Sequence, residues 1–238
     1  MINALSPAWI VRGITLLVML VSWASLLRIS PTEASHFWAQ RSTVIGVVNA
    51  VIFLLTFRPI FLALYRLSFA DLWWFPLLDG KWTGELRSNW PRVRAMMMAA
   101  KGAGPKFDTL TDELPRGDEL VTKLEANIKC SLFNMEIEIH LPGTERTSRT
   151  VFVRPQWCRP AQPQLTYVYD QVDHGQVAVT DVARHRGAAV LDYDRSMKEL
   201  RGEYWTNRQG TKGLNTAGSL ILRRSGEATD NLISDVPT

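Results

Sequence analysis

Hydrophobic and polar positions follow two rhythms along this chain. Residues 8–27, AWIVRGITLLVMLVSWASLL, run apolar with a single charge, Arg12. Residues 43–65, TVIGVVNAVIFLLTFRPIFLALY, do the same apart from Asn49 and the Arg58-Pro59 pair. A stretch of about 20 apolar residues matches the thickness of a bilayer core, so each run predicts a transmembrane helix. Beyond Pro76 the rhythm changes to an alternation of period two, the mark of half-buried strands. Eight segments carry it: 79–87, 125–133, 135–141, 148–153, 165–170, 188–194, 199–206 and 219–224. Turn residues separate several of them, notably Pro142-Gly143, Asp173-His174-Gly175 and the stretch from Gly210 to Gly213.

The pattern divides the chain into a two-helix membrane hairpin, residues 1–77, and a strand-rich domain, residues 78–238. Trp9, Trp38, Trp73 and Trp74 flank the apolar runs, where amphipathic rings favour the membrane interface. Arg12 sits near a run end, from which its side chain reaches toward headgroups. No basic region precedes the first run and no small-x-small cleavage site follows it, so the run reads as a span and not as a signal peptide. The connector, residues 28–42, is short and sets both chain ends on one side. Arg58, Arg66, Lys81 and Arg87 after the second run outweigh Arg28 and Arg41 in the connector, which points the second domain toward the cytoplasm.

Eight antiparallel strands can close on themselves and abolish exposed edges, so the expected fold of the second domain is an eight-stranded up-and-down β-barrel. Its interior has room for side chains or one small ligand. Ala126, Ile128, Cys130 and Leu132 share one face, whereas Met135, Ile137, Ile139 and Leu141 have the opposite parity. A tight hairpin or a bulge at Phe133-Asn134 accounts for the switch. Residues 88–120 form the main long connection, a lid, a partly helical plug or a mobile surface excursion.

Composition narrows the field. The chain has 238 residues with 27 Lys+Arg against 23 Asp+Glu, too mild a balance for a nucleic-acid binder driven by charge. Residues 1–77 carry five Arg against Glu33 and Asp71, so the remainder, 22 basic and 21 acidic, is close to neutral. Two cysteines, Cys130 and Cys158, make no disulfide framework. The four histidines are scattered without metal-ligand spacing, so no metal is expected.

Candidate chemistry concentrates on two strands. From Leu200 the sequence reads LRGEYWTNRQGTKG, and Leu200, Gly202, Tyr204, Thr206 and Arg208 share one parity. An apolar base thus leads to an aromatic ring, a hydroxyl and a guanidinium, a set suited to an anionic, ring-bearing ligand. Leu165, Tyr167 and Tyr169 form a second strand of this kind, with hydroxyls added by Ser148 and Thr150. No nucleophile elbow, phosphate-binding loop or dinucleotide fingerprint is present, and the acid pairs Asp192/Asp194 and Glu136/Glu138 suit solvent-facing strand positions, so no catalytic residues are expected.

Gly80-Lys81-Trp82 resembles the G-x-W element that opens lipocalin-like barrels. That resemblance implies a Trp82 closing the barrel floor with Arg223 or Arg224 laid across it. The order of pieces, two membrane helices, DGKWTG, IKCSLFNMEIEIHL, LTYVYD, LRGEYWTNR and LILRR, resembles the two-transmembrane, β-strand-rich effectors of cyclic-oligonucleotide-based antiphage signalling systems (CBASS). The likeness covers nearly the whole chain, in short motifs whose order and spacing carry it. It implies a cytoplasmic barrel that binds a cyclic di- or oligonucleotide made by a partner nucleotidyltransferase. Ligand-driven homo-oligomerisation and disruption of the bacterial inner membrane would follow, an abortive infection with no enzyme activity and no cofactor. The ligand contacts it implies are Tyr204, Thr206 and Arg208, with Tyr167 and Tyr169. The chain departs from the pattern in residues 88–120 and at Cys130 and Leu132. A membrane-anchored, lipocalin-like carrier of an apolar ligand is the alternative, and a protein-binding membrane scaffold a further one.

Overall fold

The computed structural model describes residues 7–26, 35–114, 120–158, 162–175 and 181–225. The chain forms two compact units, one of Met1–Leu77 with Cys130–Met135, the other of Leu78–Lys129 with Glu136–Thr238.

The first unit contains four helices: α1 (Pro7–Leu26), α2 (Ser35–Thr56), α3 (Arg58–Leu67) and α4 (Ala70–Trp73). Helices α1 and α2 pack against each other, as consecutive apolar helices joined by a short connector do. The second apolar run, expected as one helix over 43–65, is instead broken. Val44–Thr56 and Arg58–Leu67 meet at a bend of 98°. Pro59 is the cause: it offers no N–H to the preceding turn and its ring clashes with the carbonyl four residues back, yet it fits the first turn of a new helix. The Phe57 amide accordingly bonds the Leu54 carbonyl in a tightened last turn, and α3 restarts with the Phe61 amide on the Phe57 carbonyl. Among the described residues no single helix is long and apolar enough to cross a membrane, although the bent pair together reaches that length and composition. Residues 28–34 of the connector and the side chains of Trp9, Trp38 and Trp73 lie outside the described residues. Trp74 belongs to an aromatic cluster with Phe61 and Tyr65, whose hydroxyl donates to the Phe75 carbonyl.

The second unit is built on a closed, eight-stranded antiparallel barrel in the order β1-β2-β3-β4-β5-β6-β7-β8. Its strands are β1 (Gly80–Ser88), β2 (Leu120–Cys130), β3 (Met135–His140), β4 (Arg146–Cys158), β5 (Gln162–Asp173), β6 (Arg184–Asp194), β7 (Glu199–Asn207) and β8 (Ala217–Arg224). All eight expected strands exist, and β1 pairs with β8 to close the cylinder, Trp82 opposite Arg224 and Ser88 opposite Gly218. The parity switch between β2 and β3 is a tight hairpin. The Ser131 hydroxyl donates to the Asn134 carbonyl while accepting from the Asn134 amide.

One end of the barrel is packed shut. Trp82, Ile128, Leu165, Leu191, Leu200 and Leu222 are all but excluded from water there. The Trp82 indole N–H donates 2.9 Å to the Leu78 carbonyl. The Arg224 guanidinium lies 5.3 Å over the indole ring and donates to the Asp79 carbonyl, so of the two arginines it is Arg224 that covers the tryptophan. Arg223 instead shares the buried Glu199 carboxylate with Arg201.

At the other end the strands lead into longer connections. A fifth helix, α5 (Trp90–Ala100), rises directly from β1. Asn89 fastens its start, donating its amide to the Ala217 carbonyl and accepting the Ala217 amide on its side chain. The partly helical reading of residues 88–120 is therefore met over Trp90–Ala100; residues 115–119 lie outside the described ones.

Candidate functional site

Interior positions change character from floor to mouth. The inward series on β7 runs Leu200, Gly202, Tyr204, Thr206; that on β5 runs Leu165, Tyr167, Tyr169, Gln171; that on β6 runs Leu191, Ala189, Gly187, His185. Side chains of period two on one pleat face must share the interior, so the sequence itself lays an apolar floor, an aromatic middle and a polar rim. Above the middle lies a cavity of about 280 Å³, lined among others by Tyr169, Tyr204, Thr206, Arg208, Arg146, Gln171, Asp181 and Thr216.

Four of the five expected ligand residues, Tyr169, Tyr204, Thr206 and Arg208, line this cavity together. Tyr167 does not. It lies one inward step deeper, fully enclosed, with its ring centroid 5.6 Å from that of Tyr169. The two auxiliary hydroxyls are also elsewhere. Thr150 sits at a bulge in β4, where the register slips between Thr150 and Phe152, and its hydroxyl donates to the Ile137 carbonyl while accepting the Ile137 amide. Ser148 is buried but is not among the lining residues. Cys130 closes β2 at the end opposite Leu120, and Leu120 and Thr122 are the residues of that strand at the mouth.

The two mouth tyrosines are held by glycines on the neighbouring strand. Tyr169 pairs with Gly187, and a Cβ on that glycine would lie 2.3 Å from the tyrosine Cζ. Tyr204 pairs with Gly218, where a Cβ would meet the ring at 3.1 Å. Burial and the neighbouring Tyr204 raise the Tyr169 hydroxyl's pKa against the opposing pull of Arg208. Burial likewise raises that of Tyr204, opposed by its hydrogen bond with Ser88. Both phenols therefore stay neutral donors at physiological pH. Thr206 Oγ1 lies 2.7 Å from Thr216 Oγ1, a hydroxyl pair spanning the β7–β8 connection.

Two guanidinium groups face this cavity. Arg208 Nη1 lies 3.0 Å from Asp181 Oδ2, and Arg146 Nη2 lies 3.2 Å from the same oxygen. Arg146 Nε also contacts Asp173 Oδ2 at 2.5 Å. Burial alone would raise the Asp173 carboxyl, but the Arg146 hydrogen bond and the Gly175 amide outweigh it and hold it below the usual carboxylate range. His185 is the inward residue of β6 nearest the mouth, although it does not line the cavity. Its imidazole is buried, and neither ring nitrogen meets a hydrogen-bond partner among the described residues. Burial first, then the Arg208 charge, pushes its pKa down to about 4, so the ring is neutral at pH 7.

Arg146, Gln171, Asp181 and His185 went unassigned in the sequence reading. Period two carries Gln171 in phase with Tyr167 and Tyr169, and His185 in phase with Gly187. Both are polar, and hydrophobic alternation marks inward positions only where they are apolar or aromatic. Arg146 lies in phase with Ser148 in the same way, whereas Asp181 lies between strands, where periodicity says nothing.

The arrangement can bind: it offers ring faces, hydroxyls and two cations above a closed apolar floor. Among the described residues no group of three or more His, Cys, Asp or Glu side chains is placed to hold a metal ion. These features define a small closed barrel with a polar, cation-bearing mouth. No protein-family model matches the chain, and no curated protein matches it.

Proposed function

We propose that the chain is a membrane-anchored receptor and effector of antiphage defence, whose barrel mouth binds a cyclic di- or oligonucleotide. In this reading a partner nucleotidyltransferase makes the ligand, binding drives homo-oligomerisation, and the helical unit then breaches the bacterial inner membrane. The observation that carries it is the mouth cavity, where Tyr169 and Tyr204 stand beside Thr206 and Arg208. A nucleobase stacked on a tyrosine gains about 1–3 kcal/mol, and a guanidinium holds a phosphodiester with paired, charge-assisted bonds. A cyclic nucleotide presents both at once.

Size refines the picture. At about 280 Å³ the cavity sits at the lower edge of ordinary small-ligand pockets, roughly 300–1,000 Å³. It admits one nucleotide of a cyclic dinucleotide, so the rest of the ring stays at the rim, available to a second subunit. A ligand shared in this way binds the assembled state more tightly than the monomer, as ligand-driven assembly requires.

Membrane anchoring is supported by what the helices expose. Leu16, Met19, Trp23, Ile45 and Phe53 all point outward on α1 and α2, a costly display in water and an ordinary one in lipid. The amphipathic α3, with Phe61 and Tyr65 buried and Arg58 and Arg66 along it, suits a helix lying at the interface after the bend. A carrier of apolar ligands would need a greasy cavity. The floor of this barrel is filled by its own side chains, and the space that remains sets Arg146, Arg208 and Asp181 beside Leu86, Trp90, Leu120 and Leu141, so a wholly apolar ligand would leave charged groups facing it unpaired.

Calorimetry of the full chain in nonionic detergent, against a panel of cyclic di- and trinucleotides, tests the reading. At least one member is expected to bind, and silence across the panel would overturn the proposal. With the ligand found, Arg208→Ala is expected to weaken binding by about 1.5–3 kcal/mol, the range for a hydrogen bond to a charged group.

A further inference from the structure

The mouth contains more positive charge than it displays. Arg146 opens β4 and Arg208 lies in the β7–β8 connection, and both reach toward one carboxylate oxygen, Asp181 Oδ2. That oxygen is the one acceptor the two guanidinium groups share, while Asp173 holds only Arg146, through its Nε. The rest of Asp181 is fixed as well: its Oδ1 accepts the Val182 amide and its backbone carbonyl accepts from Gln209 Nε2.

Around this carboxylate several polar atoms are buried yet unused. Arg208 Nε, Gln209 Oε1 and both nitrogens of His185 find no partner among the described residues. Gln209 Oε1 and one His185 nitrogen are acceptors, but Arg208 Nε is a donor on a cavity-lining residue, and a buried donor without a partner costs about 1–3 kcal/mol unless something arrives to use it. A carboxylate between two arginines satisfies only part of their donor capacity, since each guanidinium carries five N–H groups. A tetrahedral phosphate brings more acceptor oxygens and more charge to the same spot.

We propose that Arg146 and Arg208 form a phosphate seat that Asp181 occupies in the resting protein, so that an incoming phosphodiester binds by displacing the Asp181 carboxylate from between them. Asp181 is thus an internal competitor: it keeps the two like charges from repelling each other and sets the affinity threshold a ligand must exceed. Arg146 joins Arg208 as a ligand-holding residue. The proposal rests on the preceding reading only for what carries the phosphate. A nucleotide and a lipid headgroup offer the same phosphodiester chemistry.

Inorganic pyrophosphate, a cyclic dinucleotide and short-chain phosphatidylglycerol are the probes, each titrated calorimetrically into the full chain. Asp181→Asn keeps the acceptor for Val182 and removes the competing charge. It is expected to bind pyrophosphate roughly tenfold more tightly than the wild type, because the carboxylate no longer opposes the anion. Arg146→Ala in the Asp181→Asn background is expected to abolish that gain. Asp181→Ser, which also lacks the charge, is held to the same criterion should the asparagine variant unfold. Pyrophosphate affinity that is unchanged or weakened in the charge-free variant, or undetectable in every form, overturns the seat. A gain for pyrophosphate with no cyclic nucleotide bound by any form upholds the seat and rejects the nucleotide reading. A gain shared by phosphatidylglycerol alone names the lipid headgroup as the ligand. Cyclic nucleotide bound equally by the wild type and Asp181→Asn upholds the nucleotide reading and rejects the seat.

Discussion

Tyr169 can turn its ring into the mouth because Gly187, opposite it on β6, leaves the space that a methyl group would fill. A Cβ there would stand 2.3 Å from Tyr169 Cζ and 2.8 Å from the Trp205 carbonyl, and the second contact is backbone that cannot swing away. Gly187→Ala is therefore expected to destabilise the protein by about 1–3 kcal/mol, the usual penalty of overpacking, and to weaken ligand binding through a displaced Tyr169. An unchanged denaturation midpoint would show that the strands part more easily than this packing implies. His185, at the rim of the same strand, governs the response to acid. Its pKa is about 4 in the folded protein against 6.5 when free, because of burial and Arg208, with Arg146 adding to the shift and Asp181 and Asp170 opposing it. Between those values the unfolded chain holds more protons than the folded one, so stability falls as pH drops from about 6.5 to about 4 and this contribution then levels off. Asp170 and Asp173, whose carboxyls are held low by arginines, add their own losses only at more acidic pH. In thermal melts across that window, His185→Gln is expected to flatten the slope; a wild-type midpoint that stays level from pH 6.5 to pH 4 would contradict the burial of a neutral ring.

Strands were legible wherever their inward residues were apolar, and the floor of the barrel could be placed from that alternation alone. The ends nearer the mouth were not. The expected 165–170 extends to Gln162–Asp173, and 188–194 begins instead at Arg184. In both cases the added inward residue at the mouth is polar, Gln171 or His185, because this is where the interior meets its opening. Function and illegibility thus coincide: a binding rim must break the hydrophobic pattern by which strands are recognised. The bulge in β4 was hidden for another reason. Val151 and Phe152 are adjacent, apolar and both exposed, so the stretch looks like continuous alternation, while the Thr150 hydroxyl replaces the missing ladder bond to Ile137. The bend after α2 was marked in the sequence by Arg58-Pro59. Apolar content alone counts residues and carries no information on direction, so 43–65 read as one span.

At the scale of the molecule, the barrel is polarised along its axis. The turns at the floor are short, as in residues 195–198 between β6 and β7, whereas the connections at the mouth carry α5, Asp181 and Arg208. The cavity opens at one end only, and the proposed messenger is made inside the cell, so under the proposed function the barrel is expected on the cytoplasmic side of the membrane. Met197 offers a clean reporter of that orientation. It lies in the short β6–β7 turn, is 63% exposed, and its side chain makes no hydrogen bond or ring contact among the described residues, its bond to Asp194 Oδ1 coming from the backbone amide. With Cys130 and Cys158 changed to serine, Met197→Cys is expected to resist a membrane-impermeant maleimide in bacterial spheroplasts and to react in inverted inner-membrane vesicles. Cys158 alone would serve less well, since its thiol is only partly exposed and donates to Gln164 Oε1. Labelling from outside the spheroplast would place the barrel where no intracellular messenger reaches it, and the carrier reading would then gain what the nucleotide reading lost.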